Sequence, residues 1–101
     1  MLTLPIKKKW FDMIAAGEKL EEYRSDTPCY AARFGPAMNA NGQMEICLRN
    51  GYRADSPKLY CTITARLRHG ARPEWRGNPK EPCWVLTLLG VKAENERSGY
   101  I

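Results

Sequence analysis

A chain of 101 residues, 44% of them hydrophobic, can bury one modest core and is too short for two domains. Sixteen basic against eleven acidic side chains give a net charge of +5 and a pI near 9.2, which favours a polyanionic partner such as nucleic acid, although a merely basic soluble protein has the same balance. The four cysteines (Cys29, Cys47, Cys61 and Cys83) stand 18, 14 and 22 residues apart with no Cys-x-x-Cys pair, and His69 is the single histidine, so a metal site has little support.

The chain reaches Lys7-Lys8-Lys9 after six residues, too soon for a signal peptide or a membrane span. This predicts a cytoplasmic protein with free thiols, its cysteines acting as small buried hydrophobes. Leu2, Leu4 and Ile6 alternate with Thr3 and Pro5, which predicts a short first strand, and Pro5 places it at a sheet edge or end. Lys8 to Ala16 reads as a helix, with Trp10, Met13 and Ile14 at helical spacing and Phe11 widening the apolar stripe. The aromatic pair reads as core packing. Lys7, Lys8 and Lys9 crowd the helix N-terminus, where the macrodipole disfavours cations and no Ser, Thr, Asp or Asn caps the end. Either the lysines face a phosphate or a small penalty is tolerated.

Periodicity fails from Ser25 to Gly42. Cys29 to Phe34 would make a short helical turn, but Gly35-Pro36 and Asn39-Ala40-Asn41-Gly42 are breakers, and the stretch reads as an irregular covering loop. Strands follow. Met44, Ile46 and Leu48 point one way, Gln43, Glu45, Cys47 and Arg49 the other, and Asn50-Gly51 marks a turn. Lys58 to Arg68 is the cleanest alternation, with Leu59, Cys61, Ile63, Ala65 and Leu67 on the apolar face. Pro73 to Pro79 is a loop, and Trp84 to Val91 is a strand apolar on both faces, hence central. A strand, a helix and then several strands with short turns is an α+β domain over residues 1–101, and curling such a sheet into a small barrel disposes of its edges.

The segment Gly17-Glu18-Lys19-Leu20-Glu21-Glu22-Tyr23-Arg24 concentrates the chemistry. Gly17 suits the left-handed position after a helix end. If the chain then runs extended, Glu22 and Arg24 share one face and Glu21 and Tyr23 the other. Such a group can bind an anion or move a proton; it can equally be a solvated turn with surface ion pairs.

That segment resembles the ASCH family, relatives of the PUA-like RNA-binding domains. The likeness runs through Leu4 to Ile14, Gly17-x-Lys19-x-x-Glu22-x-Arg24, Arg49-Asn50-Gly51-Tyr52 and Pro73 to Gly77, leaving Pro28 to Gly42 and the last ten residues without counterparts. It implies a small PUA-like β-barrel with a helix after the first strand covering one end, of bacterial or phage type. It also implies a cleft walled by Lys19, Glu22 and Arg24 and joined by Arg49, Asn50 and Tyr52. Lys7, Lys9, Arg24 and Arg49 would meet phosphate, Asn50 a base edge, and Tyr52 or Trp75 an unpaired base. RNA or a nucleotide is then the expected partner, with no cofactor, no metal and no membrane.

Some relatives hydrolyse an acetylated cytosine nucleoside with a Thr nucleophile, a Lys base and a Glu. Lys19 matches the lysine, but Glu22 stands at the threonine position and Leu20 at a neighbouring place where Thr is frequent, which argues against that route. Glu74 is a further carboxylate, on the Pro73 to Pro79 loop. Metal-independent ribonuclease chemistry, with Lys19 and Glu22 as the catalytic pair, is the enzymatic alternative. A regulatory protein binding a small nucleotide or another protein is the third.

Overall fold

A computed structural model describes residues 1–39 and 42–94. Five strands, β1 (Leu2–Ile6), β2 (Glu21–Ser25), β3 (Gln43–Asn50), β4 (Lys58–Arg68) and β5 (Cys83–Ala93), form a single sheet in the order β1-β3-β4-β5-β2. β1 pairs with β3 in parallel and the other three pairs are antiparallel. Helix α1 (Lys8–Ala15) lies between β1 and β2 in sequence, and α2 (Pro28–Asn39) between β2 and β3. The domain is therefore α+β, and its sheet curls into a half-barrel.

Side chains show the curl. In a flat sheet of five strands the edge strands would lie about 19 Å apart at 4.8 Å per step, far beyond the reach of one arginine. Yet Nη2 of Arg24 on edge strand β2 donates to the Pro5 carbonyl of edge strand β1 at 3.0 Å. Among the described residues no ladder joins the two edges, and Arg24 spans the gap instead.

The core is the concave face of this sheet with one side of each helix. Leu4, Ile46, Leu48, Leu59, Ile63 and Leu86 are buried there with Phe11 and Ile14 of α1 and Phe34 of α2. The alternation over Lys58 to Arg68 holds as expected through Ala65. Leu67, although on the same face and opposite buried Trp84, is 40% exposed. β5 sits between β4 and β2, but is buried on both faces only at Trp84, Val85 and Leu86.

The expected loop after Ser25 is instead mostly helix, running through Gly35 and Pro36. Thr27 caps it, its Oγ1 accepting from the Tyr30 amide at 3.2 Å, and Pro28 occupies the first turn, where its missing N–H costs nothing. Phe34 is fully buried, stacked on Tyr30 one turn earlier and tilted against Trp84, with centroid separations of 5.7 and 5.6 Å. An interior proline costs about 3 kcal/mol. Burying a Phe stabilises by about 1.5–3 kcal/mol and each aromatic pair adds about 0.5–1.5 kcal/mol, so packing outweighs the local signal. Of the expected breakers, Ala40 and Asn41 lie outside the described residues.

Burial also separates the cysteines. Cys47 and Cys61 are buried and Cys83 partly so, whereas Cys29, expected to be buried, lies exposed on α2. Burial pushes the Cys61 thiol up to about 12 and raises Cys47 and Cys83 in the same direction. Among the described residues no helix is long and apolar enough to cross a membrane.

Candidate functional site

The site begins where α1 ends. Gly17, at φ +79°, takes the left-handed position, and the amides of Gly17 and Glu18 close back on the carbonyls of Ile14 and Met13 at 3.1 and 2.8 Å. This Schellman arrangement reverses the chain and delivers Lys19 to the edge of the core. β2 then pairs with β5 so that Glu22 lies opposite Leu86 and Arg24 opposite Trp84. Two charged side chains are thereby placed on the concave apolar face, and each needs a partner there.

The partners are one another. Lys19 has no exposed side-chain surface; its Nζ donates to Glu22 Oε1 at 2.7 Å and to the Glu21 carbonyl, with the rings of Trp10 and Tyr23 at 5.8 and 5.6 Å. Arg24 Nη2 donates to the other carboxylate oxygen, Glu22 Oε2, at 2.9 Å, and Nη1 to the Tyr30 hydroxyl at 3.3 Å. Burial lowers the Lys19 pKa, and the adjoining Glu22 carboxylate works against that shift. On the opposite face Tyr23 donates to Glu21 Oε1 at 2.7 Å and accepts from the Arg72 amide at 3.0 Å; burial pushes its hydroxyl up to about 12.

In front of the Lys19–Glu22–Arg24 triad lies an open cavity of about 720 Å³, bounded by the end of β1, the start of α1, β2, Tyr30 of α2, the turn after β3 and the 73–76 loop. Of the residues singled out from sequence, Lys7, Glu22, Arg24, Asn50, Tyr52 and Trp75 line it, although they come from four separate segments. Lys7 is the uncapped residue before α1, with no acid in the first helical turn to offset it. Tyr52 is 84% exposed at the rim, and the Arg72 guanidinium lies 4.9 Å from the Trp75 ring.

Three of the expected residues are elsewhere. Lys19 lies behind Glu22, off the cavity wall, with its ammonium buried. Lys9 rests on the Trp10 ring at 4.7 Å, and Arg49 turns back to donate from Nε to the Gly51 carbonyl at 3.1 Å. Glu74 is exposed, 3.6 Å from Arg72, and is not on the wall. Conversely, the wall contains Trp10, Tyr30 and Arg76, which sequence reasoning did not assign to it. Trp10 packs against the core with one side and faces the cavity with the other, so the expected packing role holds without exhausting its contacts. Arg76 carried no readable signal except its place beside Trp75.

Chemically, the wall presents cationic donors, an amide, aromatic faces and one carboxylate whose two oxygens already accept from Lys19 and Arg24. Among the described residues no cluster of three His, Cys, Asp or Glu could hold a metal ion. No protein-family model, curated protein or solved structure matches the chain.

Proposed function

We propose that this chain is an ASCH-type, PUA-like domain that binds RNA or a nucleotide in the cavity in front of Arg24. The observation that carries the reading is the meeting of Arg24, Asn50, Tyr52 and Trp75 around one cavity of about 720 Å³. That size falls within the range of small-ligand sites. The residue types supply what an unpaired nucleotide offers partners for: cations for phosphate, an amide for a base edge and aromatic faces for stacking. Lys7 and Arg76 add charge to the same wall, and neither makes a side-chain ion pair among the described residues.

Glu22 and Lys19 serve in this reading as the support that fixes Arg24. The buried ammonium has no path to a ligand on the wall, which favours binding over the hydrolase alternative.

The test is gel retardation of end-labelled single-stranded RNA in chelator, with a DNA control and the Arg24→Lys variant. Four wall cations, Lys7, Lys8, Arg24 and Arg76, set the expected slope of log Kobs against log salt at about −3, from roughly 0.7 per phosphate on a single strand. Arg24→Lys, which loses the forked donor, should weaken binding while the protein still melts cooperatively. Absence of retardation by folded protein would overturn RNA binding, and absence of nucleotide binding as well would overturn the reading. Cleavage of the label under these conditions would transfer Glu22 and Lys19 to catalysis.

A further inference from the structure

A second cavity of about 430 Å³ adjoins the first. Tyr23, Arg24, Ser25 and Arg76 line both, so the two share a wall that carries two guanidinium groups. Beyond that wall the lining changes character. The second cavity is bounded by Asp26 and Glu81, carboxylates that accept hydrogen bonds and repel a phosphate, and by Asn78, whose Oδ1 already accepts from the Lys80 amide at 3.0 Å. Charge therefore peaks at the junction and reverses past it.

Arg76 is placed there by the backbone. It is the non-glycine residue with positive φ (68°) among those described, a conformation in which glycine would sit without strain. Its amide donates to the Pro73 carbonyl at 3.0 Å, and the next residue, Gly77, donates to Arg72 at 2.8 Å. A Cβ on Gly77 would lie 2.5 Å from the Cβ of buried Ala71, so the loop is pressed against the body of the protein and Arg76 is aimed from a fixed base. Its guanidinium makes no side-chain hydrogen bond or ion pair among the described residues.

We infer that the two cavities are successive nucleotide subsites, and that the ligand is a single strand of at least two nucleotides whose linking phosphate lies between Arg24 and Arg76. The inference rests on the reading of the first cavity as a nucleotide site and goes further, because it excludes a free mononucleotide as the preferred ligand. The aromatic cavity stacks one base. The acceptor-rich cavity takes the next, favouring bases with an exocyclic amino group, since Asp26 and Glu81 can accept from it.

Calorimetry with ApA, CpC, GpG and UpU, each set against its 5′ mononucleotide, tests this. Each pair carries one phosphate, and the mononucleotide bears the greater charge, so simple attraction to a basic protein favours the mononucleotide. The expected result is dinucleotide binding about tenfold or more tighter for at least one amino-bearing base, with UpU the weakest. Arg76→Gly, which suits the left-handed backbone, should reduce dinucleotide affinity about tenfold or more, the usual size of a lost charge-assisted contact. Glu81→Ala should weaken dinucleotides and leave mononucleotides unchanged, whereas removing a negative charge from a merely basic surface would strengthen both. Mononucleotides binding as tightly as dinucleotides would overturn the two-subsite inference and leave the first-cavity reading intact. Failure of every probe and of long RNA would overturn both.

Discussion

Replacing Lys19 by methionine asks whether the buried triad holds the fold together. Methionine keeps most of the aliphatic stem and deletes the ammonium. Glu22, whose side chain is 11% exposed, then retains only the Arg24 contact at 2.9 Å. Breaking a buried pair from one side costs about 3–5 kcal/mol, and the surviving arginine puts this site near the lower figure, about 3 kcal/mol. In a domain of this size 1 kcal/mol moves the melting temperature by about 4–8 °C, so a fall of roughly 12–24 °C is expected. Glu22→Gln should cost less, because Lys19, whose pKa burial already depresses, can shed its proton when the carboxylate is gone. The double variant should be more stable than the sum of the single losses, with a coupling of at least about 1 kcal/mol. Urea unfolding followed by tryptophan fluorescence measures all four proteins. A Lys19→Met protein within about 0.5 kcal/mol of the parent, the range of ordinary surface substitutions, would refute the reasoning and return Lys19 to the surface.

Two further outcomes follow from the packing. Phe34→Ala should destabilise by about 3–5 kcal/mol and lower α2 helicity by circular dichroism, because Phe34 anchors a helix whose own Gly35 and Pro36 oppose it; an unchanged far-ultraviolet spectrum and stability would show that α2 does not depend on this anchor. Tyr23 holds its proton more tightly folded than unfolded, so its contribution to stability is complete below its ordinary value of 10.0 and is lost as pH rises through about 12. Tyr23→Phe should flatten the fall in stability over that window, and equal slopes for the two proteins in denaturant titrations across it would contradict the assigned burial.

The parts of the fold written in alternation were legible. Lys58 to Arg68 shows its two faces in sequence because a half-buried strand must alternate, and Lys8 to Ala15 shows its apolar stripe for the equivalent helical reason. The face shared by Glu22 and Arg24 was legible too, from strand geometry alone, and the register with Leu86 and Trp84 places it. What sequence could not say was that this face is the concave one. A lysine, a glutamate and an arginine read as solvated, and only the curl of the sheet, with Trp10 and Tyr23 beside Lys19, takes them out of water. Helix α2 was missed for a related reason. Its local breakers are printed in the chain, whereas Trp84, against which Phe34 packs, arrives 50 positions later. Arg76 is illegible in principle, since a left-handed arginine is set by the loop that presses Gly77 on Ala71 and by no propensity of its own.

Arg24 and Arg76 stand on the same cavity wall for opposite physical reasons. Arg24 is already committed through its terminal nitrogens: Nη1 reaches Tyr30 and Nη2 reaches Glu22 and Pro5, joining the two edges of the half-barrel, while Nε is buried without a partner among the described residues. Ordering it costs nothing further when a ligand arrives, which makes it a good positioning group. The same commitment means that Arg24→Lys also costs stability, so its binding is read at a temperature where the variant is folded. Arg76 has no such duty. Its backbone is fixed, its guanidinium is uncommitted among the described residues, and a glycine can replace it without strain. A ligand contact at the junction therefore combines a pre-organised cation on one side with an adaptable one on the other. Of the two, the adaptable arginine is where binding can be separated from stability.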